Sequence, residues 1–251
     1  MSLPHVFNTD LETIPTDIPY IHTNKHLDEY WHKELNTDKS FKIGICWEGS
    51  TYYEKLKSPY SKKALPLELF ESLTKLPGVT VYSLQKINGT EQLHSMPDGM
   101  LVHDFGESFD IEHGRFMDTA SVVKKMNLVL SADTSVAHLA GALGISTWIF
   151  LPYVADWRWR NEGTNTPWYP TVKLFRQKSP NNWASVFDEV VEQLEETLYG
   201  NSTINQSGPI AEVSIGDLID KMSILEVKSE RIQDKEKLRN IANEQRALKD
   251  V

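Results

Sequence analysis

The sequence predicts an α/β fold, a Rossmann-like, doubly wound and mostly parallel sheet, on three observations. From Phe41 onward, short runs rich in β-branched and aromatic residues alternate with helical stretches, the arrangement of βαβ units. The runs expected in mid-sheet, such as Leu128-Val-Leu-Ser131, are almost continuously apolar, as burial on both faces requires. One of them passes directly into a helix rich in small residues, the kind of strand-to-helix junction around which such sheets bind ligands.

Each element follows from local pattern. Residues 1–40 read as a lead-in segment, an interdomain linker with a short helix: Pro4, Pro15 and Pro19 keep the start irregular, and Asn24 caps an amphipathic helix over 25–35. Strands are predicted at 42–47, 79–84, 100–104, 128–131, 147–151 and 172–175, and helices at 66–75, 118–126, 135–143 and 183–198. Residues 41–199 therefore form the Rossmann-like domain. Gly200 to Pro209 is polar and turn-rich, which makes 200–212 a linker. In 213–251, Ser214 and Asp217 look like a helix start, and Ile215, Leu218, Ile219, Met222 and Leu225 recur at helical spacing, so a helical hairpin is expected.

Composition narrows the function. The 251 residues carry a net charge of -9, with no basic cluster interleaved with aromatics, which argues against nucleic acid as a partner and for a nucleotide. The single cysteine, Cys46, excludes an internal disulfide and a CxxC-type metal site and suits a reducing cytoplasm. No apolar run approaches the roughly 18 residues a membrane span needs, and Met1-Ser-Leu-Pro-His does not read as a signal peptide.

The strongest local signal for chemistry is Leu130 to Gly144. Asp133 sits where an N-cap belongs, and the backbone N–H groups of Thr134, Ser135 and Val136, with the helix dipole, make a ready anion cradle. His138 lies one turn in and faces the same anion. The same segment read alone is equally an ordinary capped helix start, and Ala137, Ala140, Gly141 and Ala142 serve close packing as well as ligand approach.

Two loops add to it. After the first strand, Gly49 and Ser50 permit close approach to a ligand, and Lys62 or Lys63 supplies a point charge for a phosphate. After the fifth expected strand, Tyr153, Asp156, Trp157, Arg158 and Trp159, with Trp168, form either an aromatic wall for a base or sugar or a packing surface for a neighbour. Arg158 reaches a phosphate or pairs with Asp156. There is no P-loop pattern, no Gly-x-Gly-x-x-Gly after a strand and no Asp-x-Asp pair; Asp110-Ile-Glu112 is a weak substitute, and His22 with His26 reads as surface. No cofactor and no metal are therefore expected, a bound diphosphate being neutralised by lysine, arginine and a helix N-terminus.

The ordered set Ile43-Gly-Ile-Cys-Trp-Glu-Gly49, Lys63-Ala-Leu-Pro-Leu67, Tyr82-Ser-Leu-Gln-Lys86, Asp118-Thr-Ala120, Ser131 to Gly144, Asp156-Trp-Arg-Trp159 and Pro167-Trp-Tyr-Pro170 resembles the catalytic region of bacterial tetratricopeptide-repeat glycosyltransferases. Those are related to the ADP-heptose lipopolysaccharide heptosyltransferases of glycosyltransferase family 9. The resemblance runs through roughly residues 10–195. It implies one half of a metal-independent, inverting GT-B enzyme, with a nucleotide-diphosphate sugar held here. Carried over by motif, Lys63 contacts the diphosphate, Asp133, Thr134 and Ser135 with His138 cradle it, and Gln85, Lys86, Asp104, Asp118 and Thr119 surround base and ribose. Where the heptosyltransferase turn has glycine after threonine, this chain has Ser135.

Family members carry an N-terminal half that binds the acceptor and holds the general base, and no match to it precedes Phe7. The resemblance thus leaves two readings: a transferase completed by an acceptor-binding domain, a partner chain or an oligomer formed through the hairpin, and a non-catalytic nucleotide-sugar or protein-interaction module. The tail from Val213 resembles a small bacterial family of unknown function.

Overall fold

A computed structural model describes residues 3–50 and 62–200, with side chains from His5 onward. The linker after Gly200 and the expected hairpin at 213–251 lie outside the described residues. The chain divides into two compact units, 1–192 and 193–251. Of the second, the described part is residues 193–200, where the last helix ends and Thr197 Oγ1 donates to the Gln193 carbonyl at 2.7 Å.

In chain order the elements are α1 (Leu3–Val6), α2 (Lys25–Leu35), β1 (Phe41–Cys46), a 3-10 turn (Leu67–Phe70) leading into α3 (Glu71–Thr74), β2 (Val79–Ser83), α4 (Met117–Val123), β3 (Leu128–Ala132), α5 (Ser135–Ala142), β4 (Thr147–Leu151), β5 (Val172–Arg176) and α6 (Ala184–Tyr199). All five strands are parallel in the order β2-β1-β3-β4-β5. This is the doubly wound Rossmann-like sheet the alternating pattern predicts, with its switch of direction between β1 and β3.

Burial explains the strand sequences. Every residue of β3 and β4 is buried, which is why they read as unbroken apolar runs. Successive side chains take opposite faces. On one face Tyr82, Leu84 and Val129 meet α2, α4 and α5 through Leu27, Trp31, Val122 and Ala140. On the other, Phe150 packs with Phe70 and Phe187, ring centroids 5.8 and 5.0 Å away. Gly44 leaves room over β1 for the Leu84 and Met126 side chains, because a Cβ there would stand 2.6 Å from Leu84 and 3.1 Å from Met126.

The helix of the lead-in forms over the predicted span, and Asn24 Oδ1 accepts from the amides of His26 and Leu27 at 2.9 and 3.4 Å. Its Trp31 indole donates to buried Asp118 at 2.9 Å. One predicted strand does not form. Residues 100–104 run beside β2 with a single bridge, His103 to Tyr82, held by His103 N to Val81 O at 2.9 Å and Ser83 N to His103 O at 2.8 Å. The stretch alternates like a strand, but the turn from Asp104 into Gly106 diverts it after one bridge.

Candidate functional site

The carboxyl ends of β1, β2 and β3 open onto a cleft of about 880 Å³ at the switch point of the sheet. Gly49 and Ser50 line it after β1, Gln85 and Lys86 after β2, and Asp133 to Val136 after β3; Lys63, Thr119, His138 and Arg158 line it too. Thus twelve of the residues singled out in sequence are brought together.

The junction differs in detail from its prediction. The N-cap of α5 is Thr134, not Asp133, and its side chain makes no capping bond. Its hydroxyl lies 3.0 Å from Ser131 Oγ and 3.6 Å from Cys46 Sγ, beneath the junction. The first-turn amides accordingly begin at Ser135, one residue later than expected, and Ser135 and Val136 border the cleft with no capping bond from the Thr134 side chain. The Asp133 carboxylate, 5% exposed, instead ion-pairs with Lys63. The lysine is held in the cleft rather than extended into water, but a phosphate would share it with that carboxylate. Cys46 is buried at the cleft floor, and burial pushes its thiol up to about 11, so it stays protonated.

His138 is held from three sides. Its ring stacks on fully buried Trp159 at 5.1 Å, Nδ1 lies 3.0 Å from the Tyr169 hydroxyl, and Nε2 lies 3.9 Å from Asp133 Oδ1. Burial lowers its pKa; Asp133 opposes the shift, and Arg158 and Lys63 reinforce it. The ring is therefore mostly neutral at pH 7. Gly141 serves this arrangement: a Cβ there would stand 2.6 Å from Tyr169 Cγ, so the glycine seats the tyrosine ring rather than bringing the helix to the sheet.

Several residues expected around base and ribose have other work. Gln85, 4% exposed, accepts from the amides of Trp47 and Glu48 at 2.9 and 3.0 Å and donates to the carbonyls of Glu48 and Asn88 at 2.8 and 2.7 Å. Its amide is a clasp for the turn after β1. Lys86 lines the cleft but spans to the carbonyls of Gly106 and Glu107 at 3.3 and 3.0 Å. Asp104 is exposed, accepts from Gly106 N at 3.1 Å and stands outside the cleft lining. Asp118, also outside it, accepts from Trp31, from Asp110 N at 3.0 Å and from His113. Asp110 reciprocates, accepting from the amides of Asp118 and Thr119 at 2.9 and 3.0 Å and from the Thr119 hydroxyl. The paired aspartates close the start of α4, the role the Asp110-Ile-Glu112 pattern fills in place of a metal motif.

The aromatic loop is divided. Arg158 lines the cleft, pairs with Asp156 at 2.7 Å and lies over the Trp157 ring at 4.9 Å. Tyr153, Asp156 and Trp157 stand outside the lining, with Trp157 67% exposed. Among the described residues no three His, Cys, Asp or Glu side chains converge as a metal-ligand set.

Sequence reasoning missed four residues of the lining: Ile87, Ile111, Arg115 and Phe116. Ile87, Asp110 and Phe116 all have left-handed backbones, with φ of 72, 59 and 64°. Such strain, about 1–3 kcal/mol each, persists where surroundings impose it and gathers at ligand sites. Nothing in residue type announces it. Ile87, Ile111 and Phe116 remain 75, 66 and 41% exposed, an apolar lip of the cleft.

No protein-family model matches the chain. It is 27% identical over 157 residues to Protein FlbA of Caulobacter vibrioides, covering 62% of this chain and spanning 25% of that protein. Among solved structures it is similar to E. coli ADP-heptose lps heptosyltransferase II, with 12% identity over 76% of this chain and 57% of that one and a TM-score of 0.49. It is similar also to a glycosyl transferase family 9 protein from Veillonella parvula, with 13% identity, 83% and 54% coverage and a TM-score of 0.43. E. coli heptosyltransferase WaaC with ADP-2-deoxy-2-fluoro heptose matches at 15% identity, 73% and 52% coverage and a TM-score of 0.45. The chain thus spans a quarter of the first and little more than half of each solved structure, and likeness at this level carries no argument about chemistry. No helix of the described residues is long and apolar enough to cross a membrane.

Proposed function

We propose that this chain is the donor-binding domain of a glycosyltransferase, holding a nucleotide-diphosphate sugar for inverting transfer. One observation carries the reading: the lining of one cleft combines cationic groups and a helix start with an exposed apolar lip. Lys63, Arg158, His138 and the uncapped start of α5 line it together with the apolar Ile87, Ile111 and Phe116. A nucleoside diphosphate has the same division, a polyanion joined to a flat base. The base lies against the lip and the diphosphate along the α5 wall. Lysine, arginine and helix amides there stabilise the charge that develops on the departing diphosphate, so the reading calls for no metal and no cofactor. The lone buried thiol suits a cytoplasmic setting.

The acceptor and the general base come from a second domain or partner chain. A second reading, a nucleotide-sugar-binding module without catalysis, is favoured by the acids of the cleft: Glu48, Asp110 and Asp133 are each engaged by a neighbour. Calorimetric titration of the full chain with ADP, UDP, their monophosphates and their sugar conjugates tests the shared core. Diphosphates are expected to bind more tightly than monophosphates, with affinity falling as salt rises. Absence of diphosphate binding overturns both readings. Donor turnover with an acceptor panel separates them.

A further inference from the structure

We infer that Tyr169 is a positioning residue that fixes the proton of neutral His138 on Nε2, so that the imidazole meets the bound diphosphate as a hydrogen-bond donor. The inference rests on the function proposed above and adds to it the state in which the histidine works.

A neutral imidazole carries one proton, and its two nitrogens face different neighbours. Nε2 lies 3.9 Å from Asp133 Oδ1, an oxygen of the carboxylate paired with Lys63, which accepts. A lone pair on Nε2 would point at that negative charge and at any phosphate in the cleft, whereas an N–H there is attracted by both. Nδ1 lies 3.0 Å from the Tyr169 hydroxyl, which can donate. With the proton on Nε2, Nδ1 accepts from the Tyr169 hydroxyl.

The rest of the surroundings hold this geometry. The imidazole stacks on Trp159 with planes 21° apart, Tyr169 is 9% exposed with its ring against Gly141, and the Tyr20 amide donates to the Ala142 carbonyl at 3.2 Å. The lead-in segment, β5's preceding loop and α5 therefore meet at one side chain of the cleft. The device is a second-layer hydrogen bond that selects a tautomer, as such bonds do for histidines bound to metals.

Nitrogen-15 spectra of imidazole-labelled full-length protein, above the pH at which His138 titrates, read which nitrogen holds the proton. The wild type is expected to show Nε2–H without any ligand present. Tyr169→Phe, which keeps the ring against Gly141, is expected to give a mixture of tautomers and to weaken ADP on the order of threefold to tenfold, the worth of one hydrogen bond. In a His138→Gln background, where no tautomer remains to be set, Tyr169→Phe is expected to leave ADP binding unchanged. A wild-type proton on Nδ1, or a tautomer unaltered by Tyr169→Phe, overturns the inference. Because the spectra need no ligand, failure of ADP to bind would instead count against the proposed function alone.

Discussion

Replacing Lys63 by alanine has two separable consequences, and the structure sets the size of both. The ammonium is the cleft's contact to a diphosphate in this reading, and a hydrogen bond to a charged group contributes about 1.5–3 kcal/mol. Its loss corresponds to a roughly ten- to hundredfold rise in Kd for ADP. The second consequence concerns Asp133, whose side chain is 5% exposed and loses its cationic partner. Removing one member of a fully buried pair costs about 3–5 kcal/mol, but Lys63 is 19% exposed and solvent tempers the effect, so a loss of about 1–3 kcal/mol is expected. For a chain of this size that lowers Tm by about 2–10 °C. Calorimetric titration and thermal scans with and without ADP measure the two together. Lys63→Arg should recover most of the stability and part of the affinity. An alanine variant that is destabilised yet binds ADP as tightly as the wild type, at equal ionic strength, would refute the diphosphate assignment and leave the ion pair purely structural.

Three further outcomes follow from the geometry. Gln85→Ala strips the partners from the Trp47 and Glu48 amides and the Glu48 and Asn88 carbonyls, and urea denaturation should show a loss of about 2–4 kcal/mol. Gly141→Ala gains about 1 kcal/mol of helix propensity but overlaps the Tyr169 ring, so net destabilisation with weakened ADP binding is expected from the same thermal scans. Burial pushes the Asp38 carboxyl up, but hydrogen bonds from Ser40 and from Tyr82 and the charge of Lys42 outweigh it and bring the pKa down to about 2, from 3.8. Because the folded value is the lower, this stability is complete above the unfolded value and is lost as pH falls through about 2; acid unfolding of Asp38→Asn should lack about 1–2 kcal/mol of that dependence.

The strands that mattered most were legible because a strand buried on both faces has no freedom to be anything but apolar; β3 and β4 are examples. The cap at Asn24 was legible because its partners are two and three residues away. The 100–104 stretch was misread because its alternation describes local pleating, while the number of backbone bonds it makes depends on where β2 ends beside it. Around the cleft, Lys63, the β3–α5 turn and His138 were visible as residue types suited to an anion. Ile87 and Phe116 were not, since their strained backbones come from the turns that hold them.

What the sequence by itself determined is the sheet, its succession of helices and a junction able to face an anion, because each arises from periodicity and propensity over a few neighbouring residues. Only the tertiary structure decided who is paired with whom. Lys63 meets Asp133 across 70 positions, Trp31 meets Asp118 across 87, and Tyr169 meets His138 across 31. A side chain's hydrogen-bonding capacity is written in its residue type, but it is spent on whichever partner the fold brings within about 3 Å, and that partner is fixed by the packing of the whole domain.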